Sequence, residues 1–309
     1  MGTTLITGIV GSLARLTARR LINEGISVVG VDYRPKPRDF PSDIPFIQAS
    51  YNKTRIEDAF RRFQPDTVLH LGRVGNLKMH LNKRFDLNVI GSAKVMELCI
   101  KYKVTRTIIL STFHIYGAHP HNHIPIFEDE PLRAAQTFPQ LADALQLDTQ
   151  AVTWAYKHRK IRVAVLRPCN VIGPDIRNAI SRYLRFKRVA YVAGYSPMWQ
   201  FIHQDDMVEA LYLTHESRKI GVYNVAGKGA VPLLDALDLT NASQIPIPSP
   251  LATLYLTIGS QLMSTFPPYL LDFFRYPCVI SDEKFKKDFK FTPQISIRNS
   301  ILSCMNENR

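Results

Sequence analysis

Short apolar runs alternate with amphipathic stretches through the first 170 residues, and this alternation constrains the fold more than any other feature of the chain. Strand-like runs fall at Thr3–Thr7, Ser27–Asp32, 45–48, 67–71, 105–111 and 162–166; helical patterns lie between them at Ser12–Asn23, 53–62, 77–101 and about 139–157. Val28-Val29-Gly30-Val31 and Thr107-Ile108-Ile109-Leu110 have little polar face, as suits strands covered on both sides. Strand–helix alternation at this spacing predicts an α/β fold built on a doubly wound parallel sheet. Past Gly173 the pattern turns irregular and richer in proline. The expected division is 1–172, with a returning segment near 200–226, and a smaller substrate or cap part over 173–309.

The 309 residues suit about two domains. With 46% hydrophobic and 21% charged residues, a disordered chain is excluded. Cys99, Cys169, Cys278 and Cys304 are scattered without a C-x-x-C pair, which argues against a zinc ribbon or disulfide scaffold and for a reducing, cytoplasmic setting. Thr3–Thr7 already reads as a strand, so no signal peptide is expected. The charge-free stretch 239–271 carries five prolines and many polar residues, a poor membrane span.

Lys and Arg number 39 against 26 acids, a net +13. Ten of those bases and one acid, Asp175, fall between Ala151 and Ala190. A solvated helix face is one reading; an anionic ligand or an anionic surface is the other. Nucleic acid is not expected, because no reader motif accompanies the charge.

Thr7-Gly8-Ile9-Val10-Gly11-Ser12-Leu13-Ala14 follows a strand and opens a helix. Gly8 permits a tight turn, Gly11 close approach of a pyrophosphate, and Ala14 close helix–strand packing. The helix N-terminus offers free N–H groups and partial positive charge to the anion. Asp32 ends the next strand, 21 residues after Gly11, where a carboxylate accepts the adenosine ribose hydroxyls and repels a 2′-phosphate. Arg34 can offset part of that repulsion. NAD is therefore the favoured cofactor, with NADP left open, and the dinucleotide makes the sheet Rossmann-like.

The chain resembles the extended short-chain dehydrogenases/reductases of the NAD-dependent epimerase/dehydratase type. The pieces that carry the resemblance stand in order over roughly residues 1–230: the T-G-x-x-G-x-L-A loop, Asp32, Val68-Leu69-His70-Leu71-Gly72, and Asn88-Val89-Ile90-Gly91. Next come Ser111-Thr112-Phe113-His114-Ile115-Tyr116-Gly117 and Leu166-Arg167-Pro168-Cys169-Asn170-Val171-Ile172-Gly173-Pro174, then Phe201-Ile202-His203-Gln204-Asp205-Asp206 and Val222-Tyr223-Asn224-Val225-Ala226-Gly227. The resemblance implies a homodimer, a small-molecule substrate, and a cofactor lined by Leu71, Gly72, Asn88, Pro168, Cys169, Asn170 and Val171 besides the loop. It also implies a Tyr acting as acid/base, a Lys four residues later that lowers its pKa, and a Ser or Thr that orients the substrate oxygen.

Thr112 fits the Ser/Thr position. The register of the resemblance puts Gln140 where the Tyr belongs and Ala144 where the Lys belongs, and neither side chain can do that work. Tyr156/Lys160 and Tyr183/Lys187 match Y-x-x-x-K but fall in the wrong place. Tyr156 lies 44 residues after Thr112, against 28 for Gln140, and Lys160 lies only six before Leu166. The third strand ends in Gln48-Ala49-Ser50 where the family has an Asp near the adenine.

His114 can stand in as acid/base near neutral pH. His119, His121 and His123 have a spacing that suggests a metal, but a polar loop is the preferred reading, and no metal site is expected. The bases of 177–188, read as a helix, can meet a phosphorylated substrate or anionic lipid. The apolar stretch 251–274 reads as core, or as an interfacial, lipid-binding surface. Three functions remain open: a dinucleotide-binding member that has lost its redox pair, an active oxidoreductase or epimerase with a substitute acid/base, and a protein of membrane surfaces.

Overall fold

The computed structural model describes residues 2–51, 53–75, 79–134, 138–252 and 270–306. Seven strands form one sheet, all in parallel: β1 (Thr3–Thr7), β2 (Ser27–Asp32), β3 (Phe46–Gln48), β4 (Thr67–His70), β5 (Arg106–Leu110), β6 (Arg162–Pro168) and β11 (Gly221–Val225). Their order is β11-β6-β5-β4-β1-β2-β3. The chain reverses direction across the sheet between β1 and β4, and the crevice beyond their C-terminal ends is where such sheets bind ligands.

Between β6 and β11 lie β7 (Asn170–Ile172), β8 (Arg188–Val192), β9 (Met198–Trp199) and β10 (Phe201–His203); β12 (Val231–Pro232) and β13 (Ser243–Ile247) follow. They pair as β7 with β10, β8 with β13 and β9 with β12, apart from the main sheet.

The helices are α1 (Ser12–Asn23), α2 (Ile56–Phe63), α3 (Leu81–Phe85), α4 (Gly91–Lys101), α5 (Ala142–Lys157), α6 (Ala179–Leu184), α7 (Gln204–Glu216), α8 (Leu233–Asp238), α9 (Leu270–Phe273), α10 (Glu283–Phe289) and α11 (Ile297–Met305). Period-two alternation splits each strand between two cores. Ile6, Leu69, Ile108 and Leu166 face α1 and α7, whereas Leu5, Val68, Ile109 and Val165 face α2, α4 and α5. The first core continues through Trp199 and Phe273 to Ile301, so the C-terminal part shares it.

Three predicted helices differ from the sequence pattern. The helix expected at 77–101 is α3 and α4 joined by a π segment, Asp86–Ile90. The π segment buries Leu87, Asn88 and Val89 in succession. The helix expected from 139 opens as a 3₁₀ turn, Pro139–Leu141, before α5 starts; Pro139 supplies no N–H but suits a first-turn position. The helix expected over 177–188 shrinks to α6, capped by the Asn178 side chain, which accepts from Ser181 N–H at 2.8 Å; Arg188 instead begins β8.

Candidate functional site: a dinucleotide cleft

The chain leaves β1 at Thr7 and turns at Gly8, whose φ of +74° suits glycine alone. A side chain at Gly8 would begin 2.5 Å from Gly72 Cα, so the loops after β1 and β4 pack backbone to backbone. Gly11 N–H donates to Gly8 O at 2.8 Å, and Gly11 caps α1 without a side chain. The first-turn amides of Ser12, Leu13 and Ala14 are thus left to an external acceptor. Ile9 is fully buried against Gly30.

Asp32 is wholly buried and accepts four hydrogen bonds. Val10 N–H and Arg34 Nη2 reach Oδ2 at 3.0 and 2.8 Å; Arg34 N–H and Nε reach Oδ1 at 2.9 and 3.0 Å. Beside this pair the Tyr51 ring is buried under the loop, close against Gly72, and desolvation holds its phenol well above the usual range.

A buried polar chain leads from the loop toward α5. Thr7 Oγ1 and His70 Nδ1 lie 2.7 Å apart, as do His70 Nε2 and Ser92 Oγ, and the Ser92 hydroxyl donates to Asn88 O at 2.5 Å. Burial pushes His70 down to about 4, so its ring is neutral. Asn88, on the π segment, accepts from Val74 N–H at 2.7 Å and donates to Val74 O at 2.9 Å and to Asp143 Oδ2 at 2.6 Å.

Asp143 immediately precedes Ala144. Arg84 grips it with Nε on Oδ2 at 2.9 Å and Nη2 on Oδ1 at 3.0 Å, and also donates to the Gln140 carbonyl. Both partners of this pair are almost fully buried. One turn further, Asp148 holds Arg167 by two bonds of 3.0 and 2.7 Å; Arg167 Nη1 also donates to the Tyr116 hydroxyl at 2.8 Å, which donates to Asn224 Oδ1 at 2.8 Å. Burial pushes Tyr116 up to about 12, against the pull of Arg167. These two pairs fix the phase of α5 against α3 and β6. Gln140 is exposed in the 3₁₀ turn, and Ala144 is buried at the start of α5.

Thr112 caps the turn Phe113–Tyr116, and its Oγ1 lies 2.9 Å from His114 Nδ1. Burial, with Arg73 adding repulsion, pushes His114 down to about 3. A neutral ring can hold the Thr112 hydroxyl in place, but its titration lies far from neutral pH. Phe273 of α9 packs edge-on against it, 4.9 Å between ring centres. Phe113, His114, Asn170, Trp199, Phe273 and Cys278 line a cavity of about 10 Å³, room for about one water.

Pro168 ends β6, and Cys169 N–H donates to Val225 O at 2.9 Å; burial pushes the Cys169 thiol up to about 12. Asn170 donates to Gln200 O at 3.1 Å, and Val171 pairs with Ile202. The two Y-x-x-x-K matches stand apart from the cleft. Tyr156 is 71% exposed on the last turn of α5, away from the C-terminal strand ends, and Tyr183 is buried with its hydroxyl on Ala190 O.

Two bases of the basic window are used inside the fold. Arg167 is spent on Asp148, and Arg185 on the carbonyls of Gly173, Pro174, Ile176 and Cys304. Lysines converge instead at Lys228, Lys286, Lys287 and Lys290, which line an open groove of about 660 Å³. Sequence reading missed it because Lys228 and α10 are far apart in the chain. It also missed Arg84, Asp143 and Asp148; the available signal was two acids on the otherwise apolar buried face of α5.

The histidine loop pairs locally, with His119 Nδ1 accepting from His121 N–H at 3.2 Å and His123 near Glu130, and no metal-binding cluster exists among the described residues. No helix among them is long and apolar enough to cross a membrane. Of the apolar C-terminal stretch, Leu270, Phe273 and Phe274 are core; Leu254, Tyr255, Leu256, Leu262, Met263, Phe266 and Tyr269 lie outside the described residues.

The sheet order, the glycine turn after β1 and the acidic end of β2 define an extended short-chain dehydrogenase/reductase. The chain belongs to the NAD dependent epimerase/dehydratase family, whose model matches residues 4–226. An uncharacterized Mycobacterium tuberculosis protein is 29% identical over 245 residues, 77% of this chain and 63% of that protein. Human short-chain dehydrogenase/reductase family 42E member 1 is 24% identical over 241 residues, covering 72% and 60%. The chain thus spans about three fifths of the length of these relatives.

Among solved structures, UDP-glucose 4-epimerase of Thermus thermophilus, in complex with NAD, aligns over 98% of both chains with a TM-score of 0.78 at 21% identity. Pal from Bacillus thuringiensis aligns with a TM-score of 0.81 at 17% identity, over 98% of this chain and 97% of its own. The residues fit the dinucleotide that the family name implies. The glycine turn carries no side chain at Gly8 or Gly11, and the uncapped start of α1 offers open amides beside it.

Proposed function

We propose that the chain binds NAD across the β1–β4 crevice and is a non-standard family member without the usual proton-transfer pair. The observation that carries this reading is the anchoring of α5: Arg84–Asp143 and Arg167–Asp148 hold the helix so that Ala144 lies buried at its start, with Gln140 one turn before it. Bound NAD supplies a hydride acceptor. Gly8, Gly11 and the α1 amides hold its pyrophosphate, Asn88 braces the loop after β4, and Thr112 offers a hydroxyl to a substrate oxygen. The Gln140 amide cannot take a proton from that oxygen.

Calorimetry with NAD, together with a search for NADH formation over hydroxyl substrates, tests the reading. Binding without turnover is expected, and NAD-dependent turnover by the unaltered chain overturns the catalytic half of it. Gln140→Tyr with Ala144→Lys is expected to keep NAD binding and to introduce turnover on a sugar-nucleotide or lipid-like alcohol.

The 2.9 Å Thr112–His114 contact favours a second reading: an active enzyme in which the neutral imidazole orients the threonine hydroxyl. Turnover that is lost in Thr112→Val and reduced in His114→Ala would establish it. The lysine groove favours contact with an anionic partner, including a membrane surface. Sedimentation with anionic vesicles, reversed by salt and by Lys287→Glu with Lys290→Glu, tests that contact. The family resemblance supports a homodimer in the cytoplasm, and light scattering checks the dimer.

A further inference from the structure

Asp32 is the residue on which a preference for NAD rests, yet every acceptor position of its carboxylate is already taken. A carboxylate offers about four lone-pair sites. Here Val10 N–H, Arg34 N–H, Arg34 Nε and Arg34 Nη2 fill them, all within 3.0 Å. Three of the four donors belong to Arg34. An adenosine ribose hydroxyl therefore meets no open acceptor on Asp32 while the guanidinium stays in place. The negative charge that would repel a 2′-phosphate is also paired.

Arg34 itself is not sealed in. Its side chain is 41% exposed, whereas that of Asp32 is wholly buried. Nη2 lies 3.8 Å from the point where a side chain on Gly11 would begin, which puts the guanidinium on the rim of the phosphate loop. Nη1 makes no hydrogen bond among the described residues, so the partly exposed guanidinium keeps donors open to a ligand. A planar, permanently charged fork with open donors is a phosphate-binding group.

We propose that Arg34 sets cofactor choice by masking Asp32 and offering its own outer edge to a 2′-phosphate, so that the site takes NADP about as readily as NAD. Arg34 competes with the NAD ribose for Asp32 and assists the NADP ribose through its free edge. The inference rests on the dinucleotide reading above, and the experiment separates the two.

NAD and NADP are titrated calorimetrically into the full chain and into Arg34→Ala, with far-UV circular dichroism confirming the fold of the variant. In the unaltered chain the two Kd values are expected to agree within about tenfold. In Arg34→Ala the two affinities are expected to move in opposite directions. NAD tightens as Asp32 is freed, and NADP weakens by about tenfold or more as a charge-assisted phosphate contact is lost and the bare carboxylate repels.

A residue that merely shapes the loop would shift both cofactors the same way, and that result overturns the proposal. So does an unaltered chain that binds NAD and rejects NADP. If the unaltered chain binds neither cofactor, the dinucleotide reading fails and takes this inference with it.

Discussion

The two ends of the cleft use the same chemistry, an arginine on an aspartate, to opposite effect. At the β2 end, Asp32 is buried but its partner Arg34 reaches into solvent. At the α5 end, Arg84–Asp143 and Arg167–Asp148 are buried on both sides, with every side chain at most 5% exposed. An exposed guanidinium can change partners at small cost. A buried one cannot, because leaving either charge unpaired in a low-dielectric interior costs several kcal/mol. One end leaves its arginine able to change partners, while the other holds a helix in place. The holding pairs grip α5 at Asp143 and Asp148, on either side of Ala144.

The largest effect should come from breaking the holding pair. Arg167→Ala leaves Asp148 charged and unpaired and also removes a donor from Tyr116. It is expected to cost about 3–5 kcal/mol in urea unfolding. A loss under about 1 kcal/mol would mean that the two ends do not differ.

Next is the neutral histidine that links the ends. His70 titrates at 6.5 unfolded and at about 4 in the fold. Below pH 6.5 the unfolded chain takes up a proton that the folded chain refuses. The stability contributed by the neutral ring is therefore whole above pH 6.5 and is lost as the pH falls toward 4. The slope is about 1.4 kcal/mol per pH unit, and the total is about 3 kcal/mol. Urea midpoints at pH 7, 6 and 5, for the chain and for His70→Gln, isolate this term. Equal slopes in both would remove His70 from the account.

The smallest stability change is expected at the exchanging end. Arg34→Ala should cost about 1 kcal/mol or less, because the guanidinium is partly solvated and its departure lets water reach Asp32. A cost near that of Arg167→Ala would erase the contrast, whatever the change does to cofactor choice.

Much of the cofactor end was legible in the sequence. β1, β2 and α1 run over the residues the pattern predicts, because a two-sided apolar run followed by a glycine turn and an amphipathic stretch leaves few alternatives. Asp32 was legible as a strand-end carboxylate, and Arg34 as its neighbour two residues on. The saturation of Asp32 was not, because it depends on the direction a flexible arginine takes. The pairs that anchor α5 were not legible. Arg84 reaches Asp143 across 59 positions and Arg167 reaches Asp148 across 19, and no local pattern encodes such pairings.

The π segment shows the same limit. Its residues read as an ordinary helix, and only the need to bury Asn88 against Val74 and Asp143 explains the wider turn. The lysine groove shows it too: Lys228 meets the lysines of α10, distant in the chain, in one groove.

The sequence by itself determined the order of strands and helices through the first 170 residues, the glycine turn after β1 and the acid at the end of β2. These are local matters of backbone freedom, side-chain periodicity and residue chemistry. Tertiary structure decided which arginine each aspartate holds, that His70 and His114 are neutral, and that Ala144 is buried while Gln140 is exposed. Those outcomes turn on desolvation and on contacts between distant segments, and both exist only once the sheet and its helices have closed around them.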